Sequence, residues 1–253
     1  MEIKSYRGVM DDAHSQRHKH STHQILTVRK GVLLFADDYR QNMLCGENAA
    51  FVPKGLFHQA QGINTQFDTV YFCDETFCQL SGYNTNQLPQ QVIVFQTSRL
   101  FHQLLREISR DSSVESVTGK TALKLLLHIF LEHKKQLLPI SLPKSNDSRL
   151  AKALNYIDEN YHEVILLDDL ATVATTSKRN LERICKRELH INISEYICMR
   201  RIFAATIDLV TTEDSVLEVS LNAGYNSLSS FYKAFHKLVG KTPKDYRNSS
   251  LFL

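Results

Sequence analysis

Two sets of side chains in this 253-residue chain could do chemistry. The first lies in SKRNLERICKREL, Ser177 to Leu189. If that stretch is helical, Leu181, Ile184 and Cys185 share one face, while Arg179, Glu182, Arg183 and Lys186 recur on the opposite face at i, i+3, i+4 and i+7. A guanidinium pairs bidentately with guanine and a carboxylate accepts from cytosine N4, so the outward face has the chemistry of a base reader in a DNA groove. Lys178, Arg179, Arg183, Lys186 and Arg187 against Glu182 and Glu188 give the segment +3, the formal charge of the whole chain. Taken alone, such a face is most often solvated surface. The second set is His18, His20, Gln24 and His58, spaced HxHx3Qx6G up to Gly31 and PxGxxH from Pro53. Imidazoles on alternate residues of a strand project to one side and suit borderline transition metals. Plain structural histidines, or a pocket without metal, are the alternative; His14 and His23 read as surface residues.

The basic helix needs a scaffold, and residues 147–253 supply one. Arg149 to Tyr161 turns Leu150, Leu154 and Ile157 inward, and Leu167 to Ala174 is a short helix whose Asp168 and Asp169 complement the macrodipole. A tight turn at Thr175-Thr176 leads to Ser177 as N-cap, giving short helix, turn, second helix: a helix-turn-helix pattern. The pattern returns in Val216 to Gly224 followed by Ser227 to Val239. At an offset of 50, Ser177 matches Ser227, Leu181 matches Phe231, Ile184 matches Ala234 and Cys185 matches Phe235. The second outward set is Ser229, Tyr232, Lys233 and His236, with Leu228 at the helix start. Between the copies, Ile193 to Thr211 has no Gly or Pro and reads as one helix of about 28 Å, close to the ~34 Å turn of B-DNA. Thr175 stands where the second copy has Gly224, a strained choice if φ is positive there.

From Gln24 to Phe72 short Ile-, Val-, Phe- and Tyr-rich strands, with turn signals at Lys30-Gly31, Asp37-Asp38, Gly46-Glu47 and Pro53-Lys54-Gly55, suggest a barrel or sandwich. Ser98 to Arg110 places Leu100, Leu104, Leu105 and Ile108 on one helical stripe, and 111–119 is a polar break. Lys120 to Leu138 is a second helix, apolar over more than one face, which its own domain or a second subunit must cover; Leu123, Leu127, Phe130 and Leu131 are the dimerisation candidates. Two prolines and a polar cluster mark a linker at 139–146.

Composition narrows the classes. Hydrophobic residues at 43%, charged residues at 23% and nine glycines describe a globular chain rather than a disordered one. Five cysteines with no CxxC pair argue against a disulfide framework and a zinc finger, and for a reducing cytoplasm. No run has the length of a signal peptide core or a membrane span.

The stretches SKRNLERICKREL, EYICMRRIFAA, SVLEV and NAGYNSLSSFYKAFHKLVGKTPKDYR resemble the AraC/XylS family of bacterial transcription regulators, the last through the signature G[FY]x[ST]xxxFxxxFxxxxGxTPxxYR. The resemblance implies two helix-turn-helix units joined by a long helix. It implies base contacts from Arg179, Glu182 and Arg183 in the first unit and from Leu228, Ser229, Tyr232 and Lys233 in the second; Lys178, Lys186, Lys241 and Lys244 are placed for phosphates. His190 stands where the family usually has glycine. The histidine motifs resemble those of the cupin superfamily, with Gln24 in place of the usual glutamate, and imply that His18, His20, Gln24 and His58 converge at a barrel mouth to hold an effector or a divalent transition metal.

The expectation is therefore an α+β multidomain chain: a cupin-like β-barrel sensor at 1–95, a helical dimerisation or packing segment at 96–138, the linker, and an all-α double helix-turn-helix domain at 147–253. The expected function is sequence-specific, DNA-binding transcription regulation in the cytoplasm, controlled by a small effector or by dimerisation, with double-stranded DNA, RNA polymerase and a second copy as partners, no membrane and no enzymatic activity. The competing reading is a metal-dependent cupin enzyme with a DNA-binding appendage. An architectural DNA binder fits poorly, since 147–253 holds 14 Lys+Arg against 14 Asp+Glu; weak non-specific binding is expected.

Overall fold

The computed structural model describes residues 3–11, 13–110, 116–134 and 141–250. The start of the expected linker, the end of the second expected helix and most of the polar break at 111–119 lie outside them. The chain divides into two compact units, one of Met1–Asp37, Asn42–Leu138 and Asn248–Leu253, the other of Asp38–Gln41 and Pro139–Arg247.

The first unit is built on an antiparallel sheet of β1 (Ile3–Met10), β2 (His23–Ala36), β3 (Arg40–Leu44), β4 (Asn48–Val52), β5 (Gln59–Phe72) and β6 (Ile93–Gln96). β5 lies between β1 and β2, and β4 joins β2 to β6. Gln24 is thus opposite both Tyr71 and Val52. Among the described residues β1 bonds only to β5 and β6 only to β4, so the expected barrel is a curled sheet whose hydrogen-bonded path does not close. Both faces are covered, which is why β2 opens on six consecutive buried residues. Ile25, Val70 and Phe72 pack with Phe101, Leu105, Leu126 and Phe130; Leu26, Val28 and Phe67 pack with Phe35, Leu44 and Val94. The helices on the first of these faces are α1 (Asp74–Ser81), α2 (Arg99–Arg110) and α3 (Val117–His133).

Several expectations are corrected here. Lys30-Gly31 is not a turn: β2 runs through it with register shifts between Val28 and Val32. Gly31 takes φ 74°, and a Cβ there would stand 2.1 Å from Asn64 O, so this glycine makes a bulge. Helix α2 is rotated from the expected stripe, with Phe101, Leu105 and Ile108 buried and Leu100 exposed. Ser116 caps α3 by accepting from Gly119 N, so Gly119 lies inside the first turn rather than in the break. Leu123, Leu127 and Phe130 are 0% exposed inside the unit's own core. The Phe130 ring sits 5.0 Å from Phe51 and 5.4 Å from Phe95. These residues, assigned above to a dimer face, are covered by their own sheet and helices, and Leu131 packs at the edge of the same core.

In the second unit β7 (Ser141–Pro143) precedes α4 (Ser148–Asn160), α5 (Leu167–Val173), α6 (Lys178–Leu189), α7 (Ile193–Thr211), α8 (Val216–Asn222), α9 (Leu228–Val239) and α10 (Pro243–Ser250). Leu150, Leu154, Ile157, Leu181, Ile184, Cys185 and Tyr196 form one core. Among the described residues no helix is long and apolar enough to cross a membrane.

Candidate nucleic-acid interface and histidine cluster

The two helix pairs are one device built twice. Helices α5 and α8 have seven residues each, α6 and α9 twelve each. In the turn after α5, Thr175 N donates to Thr172 O and Thr176 N to Ala171 O, both at 3.0 Å. After α8, Gly224 N donates to Leu221 O at 2.9 Å and Tyr225 N to Ser220 O at 3.0 Å. The offset is 49 through the turns and 50 through the helices that follow, so the second turn holds one residue more. Thr175 and Gly224 both take the left-handed conformation, at φ 53° and 80°. Gly224 is doubly required, because a Cβ there would come within 2.7 Å of His162 O. His190 and Gly240 end the second helices in the same conformation, at φ 60° and 76°.

Helix α6 is capped by the Ser177 side chain, which accepts from Asn180 N, and α9 by Ser227, which accepts from Ser230 N. Leu181, Ile184 and Cys185 in α6, and Phe231 and Phe235 in α9, are fully buried. That burial fixes what remains outside: Lys178, Arg179, Glu182, Arg183 and Lys186 on one helix, and Leu228, Ser229, Tyr232, Lys233 and His236 on the other, all exposed. Arg183 Nη2 donates to Asn180 Oδ1 at 2.8 Å, which orients the guanidinium along the face. Lys178 Nζ pairs with Asp168 Oδ1 at 2.6 Å, and Lys186 Nζ donates to His190 O at 3.2 Å. Exposed pairs of this kind contribute little and exchange readily for a phosphate. Arg179 and Glu182 have no partner among the described residues. Lys244 is exposed at the start of α10, and Lys241 is half-buried before it.

Three arginines hold this frame, a role that the sequence reading did not assign. Arg201 on α7 donates to Tyr161 O at 2.7 Å and Glu163 O at 2.8 Å. Arg247 on α10 donates to Leu209 O at 2.9 Å and Asp214 O at 2.6 Å. Each guanidinium satisfies carbonyls where a long helix ends and its chain turns toward a helix-turn-helix pair. Arg200 stacks over the Tyr161 ring at 4.1 Å and pairs with Asp158 at 3.3 Å.

In the first unit the structure brings His18, His20 and His58 together. The backbones of His18 and His58 exchange hydrogen bonds of 2.9 and 2.8 Å, and Gly55 N donates to His20 O at 2.8 Å. Ring centroids are 4.8 Å apart for His18 and His20, 4.4 Å for His18 and His58, and 4.9 Å for His20 and His58. Burial pushes His58 down to about 4 against a rise from its bond to Leu56 O, with the neighbouring His18 and His20 lowering it further. Burial, then His18, lowers His20. Gln24 Nε2 donates to Tyr71 Oη at 2.9 Å and Thr69 Oγ1 at 3.2 Å, and its Oε1 is buried without a partner. His14 is exposed, but His23 is 5% exposed, correcting its reading as a surface residue. Its Nδ1 accepts from Lys54 N at 3.1 Å and its Nε2 donates to Asp74 at 2.8 Å, so it fastens the start of β2.

Comparison with known proteins gives a consistent placement. A family model described as a helix-turn-helix domain matches residues 170–249. Regulatory protein SoxS of Salmonella typhimurium is 30% identical over 104 residues, 41% of this chain and 97% of SoxS. The HTH-type transcriptional regulator YkgA of Escherichia coli is 32% identical over 99 residues, 39% of this chain but only 41% of YkgA. The HTH-type transcriptional regulator YdiP of Escherichia coli is 25% identical over 245 residues, 92% of this chain and 81% of YdiP.

Proposed function

The chain belongs to the AraC/XylS family of DNA-binding transcription regulators, and from that premise we propose that α6 and α9 read two successive major-groove segments of one DNA site. Arg179, Glu182 and Arg183 contact base edges in the first segment, and Leu228, Ser229, Tyr232 and Lys233 in the second. Lys178, Lys186, Lys241 and Lys244 contact phosphates. The single observation that carries this is the pair of twelve-residue helices, each with an outward polar face, joined by the 19 residues of α7. At about 1.5 Å per residue α7 spans about 28 Å, near one turn of B-DNA.

The first unit is the controlling one: residues 1–95 sense an effector, 96–138 pack against them, 139–146 connect, and 147–253 bind DNA. Changing occupancy of a promoter then alters access of RNA polymerase, in the cytoplasm, by one chain or by a homodimer. The curated relatives matched are named as regulators, which supports this reading.

Selection of binding sites from a random DNA pool by the full chain tests this. The expected motif has two elements about 10 base pairs apart. Arg183→Ala relaxes preference at one base pair of one element, by about 1–3 kcal/mol, with the other element intact. A variant that selects the wild-type motif unchanged refutes α6 as the reader.

A further inference from the structure

The helix-covered face of the first unit carries a group of charges that neither the DNA-reading helices nor the histidine motifs use. We propose that Arg7, Arg29, Arg106 and Arg110 form a binding site for a dianionic oxyanion, inorganic phosphate or the phosphate group of a small metabolite, with Thr27 and Asp68 as its floor. The site stands apart from the reading of DNA by α6 and α9.

Three strands and one helix build it. Register places Arg7 of β1 and Thr27 of β2 on either side of Asp68 in β5, so the three side chains share one face of the sheet in a single row. Arg29 lies two residues beyond Thr27, and its Nε stands 3.0 Å from Asp68 Oδ2. The last turn of α2 is fastened over this row. Ser5 Oγ donates to Ile108 O at 2.8 Å, Arg7 Nη2 to Arg106 O at 3.3 Å and Ser109 Oγ to Thr69 O at 3.4 Å. Arg106 and Arg110 are one turn apart on that helix and share a side of it. Burial raises the Asp68 carboxyl, while Arg29, Arg7, Arg106 and Arg110, in that order, lower it. All four guanidiniums therefore act on one carboxylate.

Unmet valences and excess charge point to a ligand. Asp68 is 1% exposed, and its oxygens lie at ion-pair distance from Arg29 and Arg7 without forming a hydrogen bond. Thr27 Oγ1 and Arg29 Nε are buried donors with no hydrogen-bond partner among the described residues. Arg106 is half-buried, and its guanidinium makes neither a hydrogen bond nor an ion pair among them. Donors withdrawn from water and left unmatched cost free energy, which a bound anion recovers. Glu107 pairs with Arg110 at 2.8 Å, so four guanidiniums against two carboxylates leave two positive charges in excess. A dianion balances them. Asp68 holds the Nε edges of two forks inward, while Arg7 Nη2 and Arg29 Nη1 are bonded to Arg106 O and Gln66 Oε1. Arg7 Nη1 and Arg29 Nη2 remain for a ligand, and planar guanidinium forks match phosphate oxygens. The side chains of Arg7 and Arg110 are 35% and 58% exposed, so the site is reached from solvent.

The test uses the full chain in a phosphate-free buffer at constant ionic strength, titrated by calorimetry with inorganic phosphate, with glycerol phosphate and with acetate. Saturable uptake of one equivalent of phosphate is expected, with acetate far weaker. Tighter binding of the ester supports the site with a metabolite as its ligand, and equal binding of the two supports it with the free ion. Absence of saturable uptake of both, or acetate binding as tightly as phosphate, overturns it. Arg106→Gln weakens phosphate binding at least about tenfold, and Arg110→Gln weakens it by less, while circular dichroism shows the fold retained. Arg99→Gln, at the opposite end of α2, binds as wild type. Wild-type affinity in both Arg106→Gln and Arg110→Gln overturns the site, as does an equal loss in Arg99→Gln, which reports net charge alone. Neither failure touches the readout of Arg183→Ala, which tests DNA reading.

Discussion

Thr175 carries a conformational cost that its counterpart Gly224 avoids. A β-branched residue at φ 53° is strained by about 1–2 kcal/mol, and its side chain is exposed, so nothing evident offsets the strain. Thr175→Gly should stabilise the second unit by about 1 kcal/mol, read as a higher urea midpoint. Gly224→Ala should destabilise it by more, because the new Cβ also meets His162 O at 2.7 Å. Equal and opposite small effects at the two sites would contradict this account. The Thr/Gly difference was legible in the sequence because the two copies align. The inward turn of His23 was not: its partners Lys54 and Asp74 are distant in the chain, and only β2 beside the start of α1 brings them together.

At the scale of elements, periodicity located most helices. The bounds of α7 fall at Ile193 and Thr211 as expected, because a capping box at Asn192 and Glu195 starts it and Thr212 leaves helical geometry. Strand β1 escaped notice, since its alternation is mostly of polar residues and it has no fully buried position. Helix α1 also escaped, having no side-chain N-cap to announce it. The docking of α10 was also hidden: Arg247 reads as the end of a motif, yet its guanidinium joins α10 to the carbonyls of Leu209 and Asp214. Removing hydrogen bonds made by a charged group costs about 1.5–3 kcal/mol each way of counting, so Arg247→Ala should lower the stability of the second unit by about 2 kcal/mol and speed amide exchange in α8 and α10. A variant as stable as wild type would remove Arg247 as a brace.

At the scale of the whole molecule, the histidines held far below their ordinary value among the described residues, His58 and His102, both lie in the first unit. His102 on α2 is 5% exposed, and burial, with Arg106 adding to it, pushes its pKa down to about 4 against a rise from Glu47. Its ordinary value is 6.5, so on acidification the unfolded chain takes up the proton first. The stability is therefore intact above pH 6.5 and lost as pH falls from 6.5 toward about 4, by up to about 3 kcal/mol. His58 acts in the same direction. Urea unfolding followed by circular dichroism at pH 7.5 and pH 5 should show the first unit weakening, and His102→Leu should reduce the difference between the two pH values. An unchanged difference would remove His102 as a cause.

The sequence by itself determined the repeated helix pair, the long helix between the copies and the family, because these rest on short-range periodicity and on local caps and turns. It determined which residues of α6 and α9 point outward, since the inward ones are apolar at helical spacing. Only the tertiary structure decided that the sheet stays open, that Leu123, Leu127 and Phe130 are core rather than dimer face, and that His18, His20 and His58 meet. Those outcomes depend on which distant segments pack together: an apolar helix face reads the same whether its own sheet or a second subunit covers it, and a glutamine's partner is set by the strand across from it.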